Sequence, residues 1–386
     1  MKNVLSALIV LFLFTGIKAQ DCFAPPSNST LYTTTDPSYS IPAVSGFVTQ
    51  SSNFNGQWSV TASNGANINF TDNDGRRSSF EITGSGTVTV QNILTDITTS
   101  ASTTCSQMFD VSPYISAVAP NPTITNPCPL NVVLVLDESE SMAPPIFANS
   151  LVSAVSDLAT ALSQSGSSLA LVEFESTARR ISLNGSDGLQ VVDQALITAI
   201  DNYLLNDYNP MEDQSNLIGG TNWEDALMTA NQVSGADLVL MLTDGRPTFY
   251  NTPMGVSGVA GEGLLFDLTA LKKAQDAANV VKSSGKHILV AGLNFPAQIQ
   301  TIIDISGTNE FVLGQNTSAL LSADYTLIPP SSLGSLFSTI GTFCLPVTVP
   351  TIGEWGLIIL SLLLLILSVL VFKTKPDMHT VPPTRH

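Results

Sequence analysis

Residues 131–344 predict an α/β fold, a mainly parallel sheet covered on both faces by helices, preceded over 20–120 by a small all-β domain. Three observations carry this expectation. Continuous apolar runs of strand length, as buried parallel strands require, alternate with segments whose apolar residues recur every three or four positions. The earlier region shows two-residue alternation broken by turn residues. Pro120, Pro122, Pro127 and Pro129 stand where one pattern replaces the other and predict a stiff linker over 121–130.

The elements follow in chain order. Lys2, an apolar core from Val4 to Phe14 and a small residue at Ala19 have the order of a secretory signal, residues 1–19, so export is expected. In 20–120 the alternating pairs are Trp58 and Val60, Ile68 and Phe70, Phe80 and Ile82, and Val88 and Val90. They predict a small β-sandwich, with Asp72–Asn73–Asp74–Gly75 as a tight turn, since no further acidic ligands follow in series to make it a calcium loop. The pattern resembles bacterial immunoglobulin-like modules, although Trp58 lies farther beyond Cys22 than in those modules.

After the prolines, Asn131 to Leu136 reads as a buried strand and Leu151, Val155, Leu158 and Leu162 as a helix. Leu169 to Phe174 is again strand. Leu189, Val192, Leu196, Ile200 and Tyr203 give a second helix, and Leu238 to Leu242 a strand. Leu271, Ala274, Ala278 and Val281 form a helix ended by Gly285, before a strand from Ile288 to Leu293 and a last helix over 331–340. Such alternation implies a mainly parallel sheet covered on both faces by helices.

The candidate chemistry lies at strand ends. Asp137–Glu138–Ser139–Glu140–Ser141 follows the first buried strand, at the carboxyl edge where open α/β sheets bind ligands. Taken alone it could equally be a capped helix start. Two further segments belong to the same edge: Gly219–Gly220–Thr221–Asn222 opens a helix after a long loop, and Thr243–Asp244–Gly245–Arg246–Pro247 closes the strand Leu238 to Leu242.

With these three motifs in order, the sequence resembles the von Willebrand factor type A (VWA) family over roughly residues 128–344. Its metal-ion-dependent adhesion site (MIDAS) combines D-x-S-x-S, a Thr in a Gly-rich loop and an Asp at a later strand end. The resemblance implies a Rossmann-like fold and a metal set of Asp137, Ser139, Ser141, Thr221 and Asp244, with the hydroxyls coordinating and the two carboxylates mainly holding coordinated water. Hard oxygen donors suit Mg²⁺, with Ca²⁺ or Mn²⁺ as alternatives. With few negative charges directly on the ion it stays electrophilic, so the implied partner is an extracellular protein offering an acidic side chain. Glu138 and Glu140, at the variable motif positions, are expected to be solvated. No catalytic residue is expected: a phosphoryl-transfer aspartate would need a second acid where Ser139 stands, and His287, the sole histidine before the C-terminal tail, reads as the buried start of a strand.

The net charge of −17 argues against nucleic acid as a partner. Four cysteines in an exported chain, none spaced Cys-x-x-Cys, are expected as two disulfides. Cys128 and Cys344 bracket the α/β domain and are paired, as are Cys22 and Cys105. Residues 345–356 form a linker that includes Pro350, Thr351, Glu354, Trp355 and Gly356. Residues 357–372 are uncharged and apolar, and 373–386 carry Lys373 and Lys375 at once after them. These read as a transmembrane helix and a basic cytoplasmic tail, so the protein is expected at the cell surface or membrane-anchored. Val349 to Gly356, the apolar helix and the basic tail together resemble a bacterial C-terminal sorting segment of the I-P-T-L type, which implies processing and release or re-attachment.

Overall fold

The computed structural model describes residues 30–39, 44–48, 54–73, 77–125, 128–210, 220–251, 259–261, 265–295, 299–342 and 352–373. The expected signal, Cys22, Gly219, Cys344, Pro350 and Thr351 lie outside them. The chain forms two compact units, Met1–Cys344 and Leu345–His386.

Among the described residues seven strands come first: β1 (Thr30–Thr33), β2 (Val44–Val48), β3 (Phe54–Ser63), β4 (Asn67–Asn73), β5 (Arg77–Thr83), β6 (Gly86–Asp96) and β7 (Ser102–Pro113). They make one sheet in the order β1-β7-β6-β3 and another in the order β2-β5-β4. Alternation decides what is inside: β6 turns Val88, Val90 and Leu94 inward and β7 turns Cys105, Phe109 and Val111 inward, onto Trp58, Phe80 and Ile82. β1 runs parallel to β7 at the sheet edge. Cys105 and Cys128 are both disulfide-bonded. Their expected partners are not among the described residues.

The α/β part contains β8 (Asn131–Asp137), α1 (Pro145–Ser163), β9 (Ser168–Phe174), β10 (Ala178–Arg180), β11 (Gln190–Val191), α2 (Gln194–Asn206), α3 (Trp223–Asn231) and β12 (Leu238–Thr243). It continues with β13 (Phe249–Asn251), β14 (Val259–Gly261), α4 (Leu268–Ser283), β15 (His287–Leu293), α5 (Gln300–Ser306), α6 (Thr317–Leu320), β16 (Tyr325–Ile328) and α7 (Leu333–Thr342). The sheet order is β10-β9-β8-β12-β15-β16. β9, β8, β12, β15 and β16 are parallel neighbours, and β10 and β11 pair antiparallel with β9.

Each central strand is buried on both faces, which is why it reads as an unbroken apolar run. Leu134, Leu136, Leu240 and Leu242 face α1, α2 and α7. Val133, Val135, Val239 and Met241 face α3 and α4. α1 is long and apolar enough to cross a membrane, yet Leu151, Val155, Leu158 and Leu162 are fully buried against this sheet, so it is a core helix.

One helix boundary differs from expectation. Leu189 and Val192 precede α2, because Gln190 and Val191 pair with β9 and the Asp193 carboxylate caps the helix by accepting from Leu196 N–H at 2.8 Å. Val192 is buried, and its burial mimicked a helical period.

The proline-bearing segment is held along the α/β part. Gln275 and Asn279 on α4 accept from the backbone N–H groups of Ala117 (3.0 Å) and Ala119 (2.7 Å), and Asn279 Nδ2 donates to Ala117 O (2.9 Å). Lys282 Nζ donates to Ala119 O (2.7 Å) and Ser306 O (2.8 Å). The three side chains lie four and three residues apart, on one helix face. Asn121 then donates to Ile288 O, Ser306 O and Asp324 Oδ1, and accepts from Ile288 N–H.

Beside this strap, the buried Asp304 carboxylate accepts from Tyr39 (2.6 Å), Tyr114 (2.8 Å), Ser116 (2.6 Å) and Gln300 (3.0 Å). Burial, together with Asp304, pushes both tyrosine hydroxyls well above their ordinary range.

The second unit contains α8 (Ile352–Lys373), 22 residues and so about 33 Å long. Its leucines and isoleucines from Leu357 to Leu367 are exposed. Glu354, Trp355 and Gly356 fall in its first turns.

Candidate functional site

β8 and β12 are parallel neighbours in register, Leu136 beside Leu242, so the residues that follow each strand emerge at one edge. Asp137 ends β8 and is 0% exposed. Its Oδ1 accepts from Ser139 N–H at 2.9 Å and its Oδ2 from Thr243 Oγ1 at 2.5 Å. Tyr208, just past α2, donates to Asp137 O at 2.6 Å. Ser141 Oγ donates to Asp244 Oδ1 at 2.7 Å and is 3.0 Å from Ser139 Oγ. As Ser141's proton goes to Asp244, Ser139 is the donor in that last contact.

Thr221 joins the group from the other side. A Cβ on Gly245 would lie 3.6 Å from Thr221 Oγ1 and 3.8 Å from Ser141 Oγ, so both hydroxyls face one small volume beside the Asp244 loop. The Thr221 loop is firmly built. Thr221 O accepts from Thr248 N–H (2.9 Å) and Phe249 N–H (3.1 Å), and Thr248 Oγ1 accepts from Thr221 N–H (2.9 Å). Asn222 caps α3 by accepting from Asp225 N–H at 3.0 Å. A side chain at Gly220 is impossible as packed, because its Cβ would stand 2.2 Å from the Phe249 ring.

All five expected residues are thus brought together: Asp137, Ser139, Ser141, Thr221 and Asp244. Among the described residues neither Asp137 nor Asp244 has a Lys, Arg or His partner. Burial, and then the Asp244 carboxylate, push Asp137 up to about 7; burial also raises Asp244. Uncompensated carboxylates among three hydroxyls fit a hard divalent cation. Among the described residues no three His, Cys, Asp or Glu side chains are grouped to hold a metal, so hydroxyls dominate the donor set.

Two expectations on the motif's variable positions separate. Glu140 is exposed. Glu138 is instead 3% exposed, because its backbone N–H bonds Phe174 O at 2.7 Å and its carboxylate accepts from Asn209 N–H at 2.6 Å. It lies beside Glu173, Glu175 and Arg179 around a small pocket of about 20 Å³. Burial, and next Glu138, push Glu173 up to about 9.

Thr243 and Tyr208 are functional neighbours that sequence reasoning passed over. Thr243 stood in the quoted strand-end segment, and its place before Asp244 was the available signal; Tyr208 offered none. His287 opens β15 next to Leu238, at the sheet edge away from the motifs, with its ring nitrogens 2.9 Å from Pro122 O and 2.7 Å from Ala323 O.

No family profile and no curated protein matches the sequence. Similar solved structures include the pilus adhesin SpaC from Lactobacillus rhamnosus GG, with 14% identity and a TM-score of 0.42, covering 76% of this chain and 34% of that one. BatB from Bacteroides thetaiotaomicron has 16% identity and a TM-score of 0.32, covering 55% and 97%. Manganese-loaded TRAP from Plasmodium vivax has 17% identity and a TM-score of 0.36, covering 55% and 74%. This chain therefore spans about a third of the SpaC structure's length.

Proposed function

We propose that the chain is an exported surface protein whose α/β part is a VWA domain, binding an extracellular protein through one divalent cation, and that it is not an enzyme. The observation that supports this is the gathering of five oxygen-bearing side chains from three separate loops at one sheet edge, with no cationic side chain among the described residues paired to Asp137 or Asp244. Ser139, Ser141 and Thr221 would hold Mg²⁺ through hydroxyl oxygen, with Asp137 and Asp244 supplying the charge. When bound, the cation supplies a Lewis-acidic position for a partner's carboxylate.

The chain's own residues do the preparatory work. Thr243 fixes one Asp137 oxygen and Ser139 N–H the other, so that carboxylate keeps its orientation without a partner. Tyr208 ties the Asp137 backbone to the end of α2. The short helix start around Gly220 and Asn222 places Thr221 and cannot collapse away, because Thr248 and Phe249 hold its backbone.

Anchoring through α8, removal of the N-terminal signal, and sorting through Pro350, Thr351, Glu354, Trp355 and Gly356 belong to the same reading. Its support is the uncharged apolar stretch before Lys373 and the charge–core–cleavage order at the start.

The test is binding of the purified full chain to surface extracts, with and without Mg²⁺. EDTA, or Thr221→Ala, is expected to remove binding with little change in circular dichroism. Binding that survives both treatments rules the cation bridge out.

A further inference from the structure

Arg246 lies two residues beyond Asp244 and is the cationic side chain of the candidate motifs. It makes no ion pair with Asp244 or Asp137. Its guanidinium is turned the other way: Nη1 donates to the backbone carbonyl of Tyr39 at 3.2 Å, and its carbon sits 4.7 Å from the centre of the Phe266 ring. Both holds are themselves fastened. Phe266 is buried and precedes Asp267, which caps α4 and whose N–H bonds Pro247 O at 3.1 Å. Tyr39 is 4% exposed and bonded through its hydroxyl to Asp304, with its ring edge-on to Tyr114 at 5.3 Å.

A guanidinium is the preferred partner of a carboxylate, through a bidentate fork. Left free on its flexible stem next to Asp244, it would neutralise that carboxylate and compete with any cation. We infer that Arg246 is a positioning residue held out of the cation site by Phe266 and by the Tyr39 turn of the N-terminal β domain, so that this domain keeps the site open to metal. The inference rests on the cation-site reading above and adds to it a role for a domain that supplies none of the five oxygens.

The arrangement predicts a distinctive sign pattern, read by isothermal titration of the metal-free full chain with MgCl₂ or MnCl₂. Phe266→Leu keeps apolar volume but removes the ring face, and is expected to weaken cation binding roughly two- to fivefold, the size of one cation–π contact. Arg246→Gln is expected to bind at least as tightly as the unmodified chain. The double variant should recover the Arg246→Gln affinity, because the competitor is gone. Arg246→Lys keeps the charge but loses the planar stacking, so it should bind more weakly than Arg246→Gln; this comparison leaves the core untouched if Phe266→Leu fails to fold.

A merely structural Arg246 would give the opposite result, with Arg246→Gln weakening binding and the double variant no better than Phe266→Leu. Either finding, or a Phe266→Leu affinity equal to that of the unmodified chain, overturns the inference while leaving the cation site intact. If the unmodified chain itself takes up no Mg²⁺ or Mn²⁺, the cation-site reading falls first and this one with it.

Discussion

At the scale of single residues, the candidate site is defined by what each side chain lacks as much as by what it touches. Asp137 is fully enclosed, has two hydrogen-bond donors and, among the described residues, no ion-pair partner. Its carboxyl sits at about 7, above the ordinary value for aspartate, because burial and Asp244 disfavour the anion. A carboxyl whose folded value is raised binds more protons in the folded state than in the unfolded state between about pH 4 and 7. Stability of the metal-free protein should therefore fall as pH rises through that window, and Glu173, raised to about 9, extends the fall upward. Thermal midpoints measured in EDTA from pH 5 to 8 check this, and saturating Mg²⁺ should flatten the part due to Asp137. Gly220 offers a second check. Gly220→Ala drives a methyl group into the Phe249 ring and should lower stability by about 1–3 kcal/mol, the usual cost of overpacking, read by urea denaturation.

At the scale of elements, much of the architecture was legible. β8, β9, β12 and β15 are seven-, seven-, six- and seven-residue strands, and each was visible as an apolar run because both its faces are covered. The segments that carry the candidate site were legible as strand ends, which share an edge in a parallel sheet; Asp137, Ser139, Ser141, Thr221 and Asp244 within them were named through the family resemblance, and the fold places them near one another at that edge. The strap was not. Gln275, Asn279 and Lys282 bind the backbone of residues 117–119, and a backbone reads the same whatever its side chains are. The prolines signalled a linker, and only the fold shows what the linker lies against. Glu138 was misjudged for a similar reason: its partners, Asn209 N–H and Phe174 O, are main-chain atoms distant in sequence. The strap predicts its own test. Asn279→Leu removes acceptor and donor together and should cost about 1–2 kcal/mol. Amide exchange of Ala119, whose N–H the Asn279 side chain accepts, should quicken while that of β8 stays slow.

At the scale of the whole molecule, the β-rich part and the α/β part share one compact unit, joined by the apolar packing of Tyr39 and Tyr114 and by buried polar groups. Asp304 accepts hydrogen bonds from the three hydroxyls of Tyr39, Tyr114 and Ser116. Asp304→Ala would leave these donors without that acceptor and should cost roughly 3 kcal/mol or more, with the β-rich and α/β parts losing stability in one transition by calorimetry. Covalent ties act at this scale as well. With Cys105 and Cys128 both disulfide-bonded, peptide mapping of the unreduced chain is expected to recover Cys105 with Cys22 and Cys128 with Cys344. Recovery of Cys105 joined to Cys128 would refute that pairing.

The position of β8 has a mechanical consequence. It follows the strap along the chain, beginning at Asn131 and terminating at Asp137, with parallel ladders to β9 and β12 on its two sides. A tug on Asp137 opposed at the strap runs lengthwise down the strand, so the rungs of both ladders share the load and must yield together instead of unzipping singly.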